Sequence, residues 1–118
     1  MDVSCPERVI LEHVTSRWGV LVLCELLDGA ELRFSALRRA IGIVSEKMLT
    51  QTLRTLERDG FVLRRALPVI PPHVTYSLTP LGLEAAARVH ALSVWTADAA
   101  PAVLSARTAY DAAHPSPS

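Results

Sequence analysis

SEKMLTQTLRTLERDG, Ser45–Gly60, is the stretch whose reading decides the fold. Placed on a helical wheel at 100° per residue, Lys47, Thr50, Gln51, Arg54 and Arg58 fall within a sector of about 100°. Leu49, Thr52, Leu53 and Leu56 fall in the opposite sector. Ser45 is predicted to N-cap this helix and Gly60 to end it as the residue after the C-cap. With Met48 at N3 there is no capping box. The polar face carries no carboxylate, since Glu46, Glu57 and Asp59 lie off it. A plain solvated face would mix signs and pair Glu with Lys. One side is therefore built for a core and the other for something else.

Working back towards the N-terminus, a short helix is predicted over about Pro6–His13, with Pro6 at N1. A second spans Trp18–Leu27, apolar nearly all round and therefore central, and Asp28-Gly29 stops it. A short extended piece, Leu32–Phe34, leads to Ser35, which is expected to N-cap a third helix over Ala36–Ile41. Gly42 closes that helix three residues before Ser45.

Beyond Gly60 the period changes from helical to alternating. Phe61–Leu63 and Val74–Leu78 read as strands around ALPVIPPH, whose Pro68, Pro71 and Pro72 exclude a helix. Thr79-Pro80 reads as an N-cap and N1 pair for a fifth helix to about Trp95. A separate helical piece is expected after Pro101, and HPSPS at residues 114–118 is expected to be a flexible tail. Two short helices joined by a tight turn, followed directly by a hairpin, form a winged helix-turn-helix. The predicted class is mainly α with a small β-hairpin wing.

The 118 residues suit one domain, half of them hydrophobic and a fifth charged. No apolar run is long enough to span a bilayer, and MDVSCPERV does not read as a signal peptide, so a cytoplasmic location is expected. Cys5 and Cys24 form neither a disulfide framework nor a zinc spacing. Net charge is zero, but residues 31–65 carry +4 and the remainder −4. A polyanion responds to that local field. On the exposed helix face, Gln suits adenine, Arg suits guanine, and a Thr methyl packs on the thymine methyl. Lys47 and Arg58 suit phosphates, and the Ser45 helix start offers backbone N–H groups.

The chain resembles the HxlR family of winged-helix transcription regulators from about Cys5 to Trp95. Cys5-Pro6, Arg17-Trp18, RFSALRRAI (Arg33–Ile41), SEKMLTQTLRTLERDG and VIPPHVTYSLTPLG (Val69–Gly82) carry the resemblance. It departs from the family at Thr75, where an acidic residue commonly precedes the Tyr of the second wing strand. The resemblance implies a homodimer on double-stranded DNA, with the fourth helix in the major groove, the wing on the flanking backbone and terminal helices forming the dimer interface. Residues 1–113 then form one domain. Its DNA-reading core is about 17–79 and its dimerisation elements are about 5–14 and 80–113.

The candidate DNA-binding residues are Arg17, Ser35, Arg39, Ser45, Lys47, Thr50, Gln51, Arg54, Arg58, Arg65 and His73. Arg38 and Arg64 are near neighbours of this set, with one of Arg38 and Arg39 expected to face the backbone. Cys5 matches a near-N-terminal Cys that some family members use to sense oxidants or electrophiles, and Arg8 one turn on favours a reactive thiol. Cys24 reads as an inert packing residue. A small-molecule effector between the terminal helices is compatible with the Ala-rich segment Ala85–Val94. Trp18 and Trp95 read as packing residues. His13 and His90 have no second ligand at chelating spacing, so no metal or cofactor is expected. No paired carboxylates, nucleophile–base pair or phosphate loop marks an enzyme. The reading is a sequence-specific regulator, by expectation a repressor, on a pseudo-palindromic operator. The runner-up is a winged-helix protein–protein interaction module without DNA binding, slightly favoured by zero net charge and the scarcity of lysine and opposed by the acid-free polar stripe.

Overall fold

The computed structural model describes residues 5–117. Residues 1–4 of the expected domain and Ser118 of the expected tail lie outside the described residues. The elements run α1 (Pro6–Thr15), α2 (Arg17–Leu26), β1 (Leu32–Arg33), α3 (Phe34–Ile41), α4 (Glu46–Arg58), β2 (Val62–Leu67), β3 (His73–Leu78) and α5 (Pro80–Ala113). The three strands form one antiparallel sheet in the order β1-β3-β2. The architecture is a winged helix-turn-helix with an added first helix and a long last one.

The core is a leucine cluster. Leu23 and Leu26 of α2, Leu37 of α3, and Leu49, Leu53 and Leu56 of α4 are essentially inaccessible. Val62 and Phe61 close it from the hairpin, and Ala86 and Val89 from α5. Helix α4 thus buries its three leucines as the wheel requires, while Thr52 is only half-buried and donates its hydroxyl to Met48 O. Burying each leucine contributes about 2 kcal/mol, enough to fix the rotation of α4 about its axis.

Local signals set most boundaries. Ser45 Oγ accepts from the Met48 N–H at 3.1 Å, and Thr79 Oγ1 accepts from the Gly82 N–H at 3.0 Å. Thr79 also donates to Gly60 O at 2.5 Å, tying the start of α5 to the end of α4. Gly60 sits at φ +85°, in the left-handed region where other residues are strained.

Several elements differ from expectation. Helix α1 continues to Thr15, and α2 begins at Arg17 because Ser16 Oγ caps it from the Gly19 N–H. Helix α2 is not apolar all round: Leu21 and Glu25 are exposed, and Cys24 is only half-buried. Ser35 does not cap α3. Two ladder pairs, Leu32 with Tyr76 and Arg33 with Thr75, consume the extended segment. Phe34 therefore enters the helix with its ring against the core, leaving Arg33 at the cap and Ser35 exposed in the first turn. Strand β2 runs on to Leu67, because the register from Val62–Leu78 to Leu67–His73 supplies partners that local propensity does not reveal. Only Pro68–Pro72 remain as the wing tip.

The largest difference is α5. It is one helix of 34 residues, with Pro101 inside it, and not two pieces. Proline removes one helical hydrogen bond, at a cost of about 3 kcal/mol. The alanine-rich turns on both sides have the highest helix propensity and carry the helix through. His114 closes it, its N–H bonded to Tyr110 O and its ring stacked on Tyr110 at 4.1 Å. Among the described residues no helix is long and apolar enough to cross a membrane.

Candidate nucleic-acid interface

Helix α4 presents Lys47, Gln51, Arg54 and Arg58 as exposed side chains. Among the described residues none of the four is engaged in a salt bridge or side-chain hydrogen bond. Thr50 is half-buried beside them. The rotation that inserts Leu49, Leu53 and Leu56 into the core therefore leaves one acid-free cationic face without a partner among the described residues. Its two flanks differ. On one side, Met48, Gln51, Thr52 and Thr55 border a groove closed by His13 and Ser16. On the other, Thr50, Arg54 and Glu57 face Arg64 and Tyr76 of the hairpin across a cleft.

The helix-turn-helix corner is braced from within. Arg38 Nε donates to Val44 O at 3.0 Å, and its Nη1 lies 3.5 Å from Glu46 Oε1. Arg38 thus holds the turn that leads into α4, while Arg39 is exposed next to it. Ser35 and Arg39 share a shallow groove with Phe34, Gly42 and Glu46. Arg17, at the first turn of α2, lies over the Trp18 ring at 4.6 Å, a cation–π contact that orients its guanidinium.

Strand alternation separates the two wing arginines. Arg64 shares the face of buried Val62 and points toward α4. Arg65 faces the other way, 3.6 Å from Glu31 Oε1. That same carboxylate oxygen accepts from Thr75 Oγ1 at 2.5 Å, tying β3 to the residue just before β1. Sequence reasoning placed Arg64, Arg65 and His73 together on or beside the wing without separating their faces. Counting in twos from Val62 would have put Arg64 on the helix side. His73 is half-buried at the start of β3, with its Nδ1 shielded and without a hydrogen-bond partner among the described residues.

Cys5 stands at the N-cap of α1, half-buried. Its thiol donates to the Glu7 carboxylate. That bond, with one from the Glu7 backbone, holds the Glu7 carboxyl below its ordinary range. Arg8, expected beside the thiol, instead pairs with Glu12 at 3.4 Å. Burial, with a smaller contribution from Glu25, pushes the Cys24 thiol up. His13 bonds Asp59, and among the described residues no three His, Cys, Asp or Glu side chains converge as a metal site would require.

The HxlR-like helix-turn-helix family model matches residues 13–103 of the chain. The chain belongs to the HxlR family. The HTH-type transcriptional regulator YtfH of Escherichia coli (strain K12) is 58% identical over 104 residues, 88% of this chain and 82% of that protein. A solved structure of the transcriptional regulator ytfH from Salmonella typhimurium superposes with a TM-score of 0.82 at 55% identity, covering 89% of this chain and 93% of that one. The redox regulator HypR in its oxidized form aligns with a TM-score of 0.72 at 32% identity, over 80% of this chain and 96% of that one. Membership in the HxlR family makes this protein a DNA-binding winged helix-turn-helix transcription regulator and not an enzyme.

Proposed function

We propose that the protein acts as a homodimeric repressor on a pseudo-palindromic operator, with α4 of each protomer in the major groove. The observation that carries this reading is the acid-free face of Lys47, Gln51, Arg54 and Arg58, held outward by three buried leucines. Gln51 and Lys47 meet base edges; Thr50 offers a methyl group. Ser45 at the helix start, Arg58 at its end, and Arg17, Ser35 and Arg39 on the flanks lie against backbone phosphates. Arg65 and His73 belong to the wing's far side and its edge, where they approach the flanking duplex.

Dimerisation draws support from the apolar surface of the terminal helices. Val9, Ile10 and Leu11 of α1 and Leu92, Trp95, Val103 and Leu104 of α5 are all exposed. So much exposed apolar side chain on two adjacent helices suits burial against a second copy. The input signal acts through the same region. An oxidant or electrophile modifying Cys5 on α1, or an effector in the groove of Val20, Val89 and Leu92, would shift the arm that positions α4.

The experiment is a fluorescence-anisotropy titration of the protein against its own upstream DNA and a scrambled duplex, at two salt concentrations, with and without a thiol oxidant. Specific binding should exceed non-specific binding by about 10³-fold or more and weaken steeply with salt. Absence of salt-sensitive binding to this DNA and to every duplex of a random library would instead favour the protein-interaction module.

A further inference from the structure

Helix α4 and the hairpin diverge around an open cleft of about 360 Å³, lined by Thr50, Leu53, Arg54, Glu57, Arg64 and Tyr76. Two guanidinium groups from separate elements converge there. Arg54 is fixed by the rotation of α4, which the buried Leu53 sets. Arg64 is fixed by its ladder pairing with Tyr76 and by sharing the face of Val62. Neither is in a salt bridge among the described residues, and both are exposed. Glu57 is the single carboxylate in the cleft, so the cleft carries one net positive charge. Arg65, the neighbouring cation, is turned to the opposite face and to Glu31.

We propose that this cleft seats one DNA backbone phosphate, gripped by Arg54 from the recognition helix and Arg64 from the wing. The inference rests on the DNA-binding reading above and deepens it. Planar guanidinium forks match phosphate oxygens, and two of them on opposite walls fit one tetrahedral anion better than a flat base edge. The cleft also flanks the base-reading face: Arg54 lies on the edge of α4 nearest the hairpin. A sugar–phosphate strand bordering the major groove passes between a helix in that groove and a wing beside it. Arg54, whose residue type suits guanine, thereby serves the backbone, and base reading falls to Gln51 and Lys47. Arg64 becomes a register-setting residue, locking the angle between wing and helix on the duplex.

The test uses a duplex selected from a random library by the full-length protein. Affinities of the wild type, Arg64→Gln, Arg64→Lys and Arg65→Gln are measured across a salt series, with melting curves as a folding control. Arg64→Gln should weaken binding roughly five- to tenfold, alike on the selected duplex and on single-base mismatches, and flatten the log–log salt slope by about 0.9. Arg64→Lys should keep the slope, and Arg65→Gln, whose side chain lies on the wing's far face, should still lose affinity when the phosphate held by Arg54 and Arg64 is neutralised. A scan of duplexes with one neutral methylphosphonate should find one phosphate per half-site whose neutralisation weakens the wild type but not Arg64→Gln. The scan on the wild type and Arg54→Gln decides the matter if Arg64→Gln melts early. Unchanged slope, altered base preference, or no such phosphate would overturn the clamp while leaving the regulator reading intact. Failure of the wild type to select any duplex would overturn both.

Discussion

His13 Nδ1 lies 2.5 Å from Asp59 Oδ2, joining α1 to the residue that caps the C-terminal end of α4. Both side chains are largely shielded, at 29% and 18% exposure. The carboxylate can only accept here, so Nδ1 carries the hydrogen. His13→Ala leaves a half-buried carboxylate without this donor and should lower stability by about 1–2 kcal/mol, or several degrees in Tm. Asp59→Asn should cost less, since the amide oxygen can still accept. Thermal melts of both variants and the double mutant check this, and a non-additive cycle would identify the pair as one unit.

Gly82 lies against the backbone where α5 starts. A Cβ there would stand 1.9 Å from Phe61 O, a clash with main chain that no side-chain rotation relieves. Gly82→Ala should destabilise the protein by about 3 kcal/mol or more. Gly60→Ala, which meets only a distant Leu81 methyl group but keeps a positive φ, should cost about 1 kcal/mol. Urea denaturation of the two variants should rank them in that order.

The two faces of α4 should separate cleanly on mutation. Leu53→Ala empties a fully packed site and should lower stability by about 2–5 kcal/mol. Gln51→Ala should leave the melt unchanged while costing about 1–3 kcal/mol of binding and relaxing base preference at one position. Paired melting and anisotropy measurements would show whether reading and folding are independent.

The apolar stripe of α5 predicts concentration-dependent behaviour. Trp95 and Leu104 line the same shallow groove with Ala99, Ala100, Val103 and Arg107. If the proposed dimer forms, Leu104→Glu should convert it to a monomer in analytical ultracentrifugation and remove the rise of Tm with protein concentration. Winged-helix packing in the monomer should persist, because Leu104 is outside the buried core.

Two titrations have definite signs. The Cys24 thiol is pushed up by burial, then by Glu25. Its contribution to stability is present below the unfolded thiol's pKa and is lost as pH rises through the folded one. Iodoacetamide labelling of the Cys5→Ser variant should therefore inflect at higher pH when folded than in urea. Glu7 has the opposite sign, being lowered by the Cys5 thiol. Its contribution is present above the unfolded carboxyl pKa and fades as pH falls through the folded value. In Cys5→Ala, an NMR titration of Glu7 should shift toward the ordinary range.

What could be read from the sequence was what local chemistry decides. Ser45, Thr79-Pro80 and Gly60 mark helix ends because a cap bonds within three residues and a left-handed turn needs one glycine. The leucines of α4 were legible because a wheel needs only one helix. The pairings Glu31–Thr75 and His13–Asp59 were not, since they join residues 44 and 46 positions apart and depend on how whole elements pack. Arg64 lies between these cases. Its face follows from simple alternation, but RRAL lacks the hydrophobic contrast that would have announced a strand. The unbroken α5 was hidden by giving Pro101 more weight than the alanines around it.

At about 1.5 Å per residue, α5 is a rod of roughly 50 Å in a molecule whose longest dimension is 62 Å. In the proposed dimer such rods set the distance and twist between two recognition helices, and nothing on α4 enters into that geometry. In that dimer, which bases are read and how far apart the half-sites lie would be written in different parts of the chain. Lengthening or shortening α5 by a turn would retune spacing and leave base preference alone, so the ruler can evolve without disturbing the reader.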